Sequence, residues 1–305
     1  MRNFFFRQLA TWTAAQQRFD DLQQVQTKTI GMLKAQFNPA RIVSTGASIK
    51  KEVIAERPCF LCEKNRPAVQ IALPFDDDFE ILVNPFPILP IHFTIPSRHH
   101  QPQAIAEHYE TICRLLEAYP EWMVFYNGPK CGASAPDHLH FQAGTSGLLP
   151  IQTQFSSLFQ TAEAILKRNE NEGLFLLKDY PFPAIALVAQ TVSASGELFK
   201  LLYDALPLQR DDTEPMMNIV AWKAQDTFVS VVFPRSKHRP DCYYAIGEAQ
   251  FLISPGALDM GGLFVLPRKE DYERVTIEKL TTIMTEIVPS SVQMEKVISK
   301  LLKHQ

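Results

Sequence analysis

No stretch of the 305-residue chain stays apolar for the ~20 residues a membrane helix needs, which excludes a helical membrane span. Positive charge is not in excess either. A formal net charge of −3 leaves no basic surface to bind nucleic acid. The start, MRNFFFRQLATWTAAQQ, lacks a long apolar run and soon turns polar, so it is not read as a secretory signal. Cysteines are few and odd in number, five in all, which points to a reducing cytoplasm rather than a disulfide framework. What the chain does have is core material: 46% of its residues are hydrophobic, ample for one large domain or two small ones.

Chemistry concentrates in one stretch, VFYNGPKCGASAPDHLHFQAG, from Val124 to Gly144. In an extended strand, side chains two apart share a face. His138, His140 and Gln142 therefore point one way, and Leu139 and Phe141 the other, into packing. Upstream, Asn127-Gly128 and Gly132-Ala133-Ser134 form a turn of small residues that can approach an anion through backbone N–H groups. An imidazole beside such a turn suggests phosphoryl or nucleotidyl transfer through a phosphorylated histidine. The plainer alternative is a strand whose histidines are satisfied in the core.

The pattern N-G-x-x-x-G-x-S-x-x-x-H-x-H-x-Q resembles the active site of the transferase branch of the histidine triad superfamily. That branch includes galactose-1-phosphate uridylyltransferases, diadenosine tetraphosphate phosphorylases and GDP-hexose phosphorylases. HLHFQA and the tail Ile253–Gly262 resemble the last of these in particular. The resemblance implies that His140 attacks the α-phosphorus of a nucleoside-diphosphate sugar. Inorganic phosphate or a sugar phosphate then takes the nucleotide. Gln142, where hydrolases carry a third histidine, would bond phosphate oxygens. Ser134 and Gly132 would stabilise developing charge, Asn127 would fix the turn or bond phosphate, and Asn84 and Phe86 would contact the base. A dinucleoside polyphosphate phosphorylase or hydrolase, and a non-catalytic nucleotide-binding module, are the competing readings. Asp137, an acid beside an anion site, is a departure unless it is turned away or bonded.

Cys59 and Cys62 form a C-x-x-C, which alone is either a redox pair or two chance thiols. The resemblance makes them zinc ligands together with His138 and a fourth, His99 or His100: spacing from His92 favours His100, and spacing from Pro96 favours His99. His138 then either holds metal or orients its neighbour.

The order strand, strand, helix, strand, strand, ending at the motif, repeats after residue 171. The fold class expected is α/β (α+β), with two histidine-triad-like halves and mainly antiparallel sheets flanked by helices. The halves are residues 1–150, with the motif, and 151–305. In the second copy the motif position reads Val229-Ser230-Val231-Val232-Phe233, without histidine, so the second half would serve the first. Residues 5–26 read as one amphipathic helix and 28–49 as a β-rich arm. Arg235, Lys237 and Arg239 in the loop PRSKHRP are candidate ligands for phosphate. A monomer or homodimer, with no nucleic-acid or membrane partner, is expected.

Overall fold

The computed structural model describes residues 1–46, 51–170 and 172–304. The strands, in chain order, are β1 (Gln26–Ile30), β2 (Leu33–Phe37), β3 (Ala72–Phe75), β4 (Phe79–Val83), β5 (His92–Pro96), β6 (Trp122–Asn127) and β7 (His140–Thr145). Beyond them lie β8 (Glu163–Lys167), β9 (Gly173–Leu176), β10 (Ile185–Ala189), β11 (Met217–Ala224), β12 (Thr227–Pro234) and β13 (Leu263–Leu266).

Ten of these form one sheet in the order β3-β4-β5-β7-β6-β11-β12-β10-β9-β8. Its pairings are antiparallel throughout. Read outward from the centre, each half has the same order: β6-β7-β5-β4-β3 on one side, β11-β12-β10-β9-β8 on the other. The two halves therefore join edge to edge at β6 and β11, as a duplicated fold requires. The expected repeat is present, and β12, which carries Val229–Phe233, occupies the place of β7.

Alternation fixes which face of β7 does chemistry. Leu139, Phe141 and Ala143 pack into one core, beneath helices Arg2–Thr11, Tyr109–Ala118 and Val192–Ala205. His140 and Gln142 fall on the other face, with Met123 and Phe125 of β6. That face is covered by a second layer, the three-stranded sheet β1-β2-β13 and the segment Ala257–Met260.

Several expected boundaries move. The single helix over 5–26 is two, Arg2–Thr11 and Thr13–Leu22, broken at Trp12 with φ −127° and ψ 80°. The break lets Phe5 and Leu9 of one, and Phe19 and Leu22 of the other, reach the same core. The β-rich arm is the hairpin β1–β2, turning at Gly31 with φ +61°. Its last expected residues, 47–49, lie outside the described residues. The motif strand starts at His140 rather than His138, because the His138 N–H closes a turn onto Ala135 O. Strands β3 and β8 were not foreseen. They are the outer edges of the sheet, and β3 carries Pro74, which an edge tolerates.

Candidate active site

His140 is 4% exposed and its backbone is pinned before its ring is considered. Buried Gln103 accepts the His140 N–H at 2.8 Å and donates to His140 O at 3.0 Å and Asn127 O at 2.9 Å. One side chain thus ties the start of β7 to the end of β6. The His140 Nδ1–H donates to His138 O at 2.8 Å. This bond places the ring proton on Nδ1 and leaves the Nε2 lone pair bare. Burial pushes the His140 pKa down to about 4, so the ring is neutral near pH 7.

Gln142 is oriented by its neighbours. His92, fully buried, accepts the Ile88 N–H on Nδ1 at 3.1 Å. Its proton must then sit on Nε2, which donates to Gln142 Oε1 at 2.9 Å. Asn84 Nδ2 lies 3.4 Å from the same oxygen. With its carbonyl held from behind, the Gln142 amide N–H groups make no hydrogen bond among the described residues and remain for a ligand. Burial, then the nearby Arg41 charge, lowers the His92 pKa to about 3. The unfolded chain therefore binds a proton below about pH 6.5 that the folded chain refuses, and stability falls as pH drops from there toward 3. His92→Gln should remove one proton from that dependence. Denaturant unfolding between pH 6.5 and 4 should then show a slope shallower by up to about 1.4 kcal/mol per pH unit.

The base-contact candidates sit beside this network. Asn84 Oδ1 accepts the Phe86 N–H at 2.8 Å, and Phe86 is 40% exposed, with the Arg18 guanidinium 4.2 Å from its ring centroid. The turn that follows β6 holds Gly132 at φ +95°, where a Cβ would stand 2.9 Å from Gly256 Cα of the second half. Glycine is thus required twice over, by conformation and by close approach. Ser134 lies on the same turn, and its carbonyl accepts from Arg57 at 3.1 Å. Asp137 is bonded rather than facing an anion: Arg57 Nη2 donates to it at 3.0 Å.

Cys59, Cys62, His100 and His138 bring their ligand atoms within 4.8 Å of one another. Cys59 Sγ and Cys62 Sγ stand 3.3 and 3.6 Å from His138 Nδ1, and Cys62 Sγ stands 3.3 Å from His100 Nδ1. Tetrahedral coordination with ordinary zinc bond lengths needs sulfur–nitrogen separations of about 3.5 Å. The set fits, and His100 rather than His99 completes it. Behind the ligands, the His138 Nε2–H donates to Ser97 O at 2.7 Å, and His100 Nε2 stands 3.8 Å from Asp137 Oδ2. Such contacts orient imidazole ligands. These four residues could hold a metal.

The basic loop departs from expectation. Arg235 is 2% exposed and spends all its donors on the protein: Ile287 O, Asn218 Oδ1, Pro255 O, Lys237 O and His238 O. It has none left for a ligand. Lys237 pairs with Asp241 and Glu286. Arg239 donates to Ser254 Oγ at 2.8 Å and Thr45 O at 3.0 Å and lies 4.2 Å from the Tyr243 ring centroid. Arg235 and Lys237 brace the second half, and Arg239 ties it to Thr45 of the first. Cation count in a loop cannot tell a brace from a ligand.

Sequence reasoning missed Gln103, His92 as the partner of Gln142, Arg57 and Asn218. Only Asn218 carries a local signal, as the lone polar residue in Met216–Trp222.

Residues 4–145 match a family model described as a domain of unknown function (DUF4922). No curated protein matches the chain. Among solved structures, the chain is similar to yeast Ap4A phosphorylase in complex with Ap4A, at 14% identity and a TM-score of 0.56, over 91% of this chain and 97% of that one. The AMP complex of the yeast enzyme gives 16% identity and a TM-score of 0.55, over 88% and 94%. The two-halved fold expected from the histidine motif is therefore the fold of this chain, and it is shared with a phosphorylase of the branch that the motif resembles.

Proposed function

We propose that the chain is a nucleotidyltransferase that acts through a covalent nucleotidyl-His140. The observation that carries this reading is the His140 Nδ1–H bond to His138 O, which leaves a bare Nε2 beside Gln142. Nε2 attacks the α-phosphorus of a nucleoside-diphosphate sugar, the bond from that phosphorus to the bridging oxygen breaks, and the sugar phosphate leaves with the electron pair. Inorganic phosphate or another sugar phosphate then attacks the same phosphorus and frees His140. A phosphate leaving group hardly needs a proton, so an amide at position 142 suffices where an alcohol or amine leaving group would call for a titratable acid. The Gln142 N–H groups and the backbone N–H groups of the Gly132–Ser134 turn face the charge that develops on the phosphoryl oxygens. Cys59, Cys62, His100 and His138 hold zinc in this reading. Four protein ligands leave no open position, so its part is to stiffen the strand start.

A second donor class has its own support. Likeness to the Ap4A phosphorylase over most of both chains favours a dinucleoside polyphosphate, with the same nucleophile and a nucleotide as leaving group. Incubation with donors of both classes labelled at the α-phosphate, with and without inorganic phosphate, separates the readings. Phosphate-dependent release of a nucleoside diphosphate from a nucleotide sugar supports the first, and release only from the dinucleotide supports the second. Nucleoside monophosphate formed regardless of phosphate marks a hydrolase.

A further inference from the structure

We infer that Asn218, held by Arg235, is a positioning residue through which the second half aims the Asn127 amide at the substrate phosphate; the inference rests on the nucleotidyl-transfer reading. Phe125 of β6 pairs with Gln142 of β7, so two residues further on Asn127 stands opposite His140, on the same face. Gln103, bonded to both backbones, holds that apposition. The Asn127 Oδ1 accepts two hydrogen bonds from the second half, from Asn218 Nδ2 at 2.9 Å and from the Ala257 N–H at 2.7 Å. Among the described residues its Nδ2 donates to no protein group, so the open end of the amide is the donor end.

Asn218 cannot turn over to release it. Its own Oδ1 accepts from Arg235 Nη1 at 2.7 Å, and its other N–H donates to Cys131 O at 2.7 Å. A flipped Asn127 would set its N–H groups against the Ala257 N–H and the Asn218 N–H groups, donor against donor. Arg235 adds a second element. Its guanidinium is buried, is hydrogen-bonded to oxygens of neutral groups, and makes no ion pair among the described residues. The buried Asp259 carboxylate lies close enough to favour its charge. The guanidinium's chain of contacts runs through Asn218 to Asn127 and Cys131, on the turn beside His140.

The test is a double-mutant cycle on the rate of covalent labelling by α-labelled donor. Asn218→Asp keeps the size and the Arg235 bond but replaces both N–H donors by an acceptor. It should slow labelling by about 100-fold or more, the scale of a lost oxyanion donor. In an Asn127→Ala background the same substitution should change the rate by less than about threefold, because Asn218 acts through Asn127. A full-sized loss in that background, or a near-normal rate for Asn218→Asp alone, overturns the inference. Should Asn218→Asp fail to fold, Asn218→Ser enters the same cycle. A second readout does not depend on turnover. On titration with inorganic phosphate, the Asn127 side-chain amide resonances should shift in the wild type and stay still in the Asn218 variant. If the wild type takes no label, the nucleotidyl-transfer reading fails by itself. The Asn127 response to phosphate then still decides the positioning role: its loss in the variant supports it, and its persistence refutes it.

Discussion

His140→Ala is expected to abolish covalent labelling, by about 10⁴-fold or more, the scale on which losing a nucleophile acts. Phosphate binding should survive, because the turn and the Gln142 amide are held by other groups: Gln103 ties β6 to β7, and His92 holds Gln142. His140→Gly should regain labelling with added imidazole, since the missing piece is a small diffusible nucleophile. His138→Ala should label slowly rather than not at all. Its backbone carbonyl, not its ring, receives the His140 proton, and that carbonyl remains. Stopped-flow labelling of the variants reads these outcomes. A rapid label on His140→Ala would transfer the role to His138 and break the correspondence with the family motif.

The second large effect concerns metal. The His138 ring reaches Cys59 and Cys62 with Nδ1, while its carbonyl fixes the His140 tautomer. Metal held by that ring would therefore steady the residue that orients the nucleophile. Purified protein should contain about one zinc per chain, four protein ligands being the closed structural arrangement. Strong chelation should lower the melting temperature by ten degrees or more, roughly the size seen when a domain loses several kcal/mol. Cys59→Ser should do the same without chelator, and labelling should slow by about 10²-fold, as for lost supporting contacts at metal sites. Elemental analysis, thermal unfolding and labelling can be run on one preparation. Metal-free protein that melts and labels like the untreated sample would leave the four residues a packing cluster.

The parts of the site that were legible in the sequence are those set by local geometry. Period-two alternation places His140 and Gln142 on one face and Leu139 and Phe141 on the other, but His138, expected to share the strand with His140, lies before it in a turn closed onto Ala135 O. Cys59 and Cys62 stay together on their short turn, but the histidines that join them, 38 and 79 residues away in sequence, were supplied by the resemblance and not by local geometry. Long-range partners were not legible. Arg235 reads as a candidate phosphate ligand, yet the fold buries it against five protein oxygens. His92 lies 50 residues from Gln142 and meets it only through the pairing of β5 with β7. The two outer strands escaped notice because an edge is not sheltered on both sides, so β3 admits Pro74 and β8 is exposed at Glu163, Ala164 and Lys167. The break at Trp12 has a related cause: packing both helix faces into one core outweighs local helix preference.

The central claim is that His140 carries the nucleotide covalently. It is tested most directly by quenching the protein at alkaline pH a few milliseconds after mixing with a nucleoside-diphosphate sugar or a dinucleoside polyphosphate, since a phosphorus–nitrogen bond to histidine is acid-labile and base-stable. Proteolysis and fragmentation mass spectrometry then place any adduct. The account predicts a nucleoside monophosphate mass on His140, lost on acid treatment and discharged by inorganic phosphate. An adduct on His138, or none with any donor of either class, would contradict it.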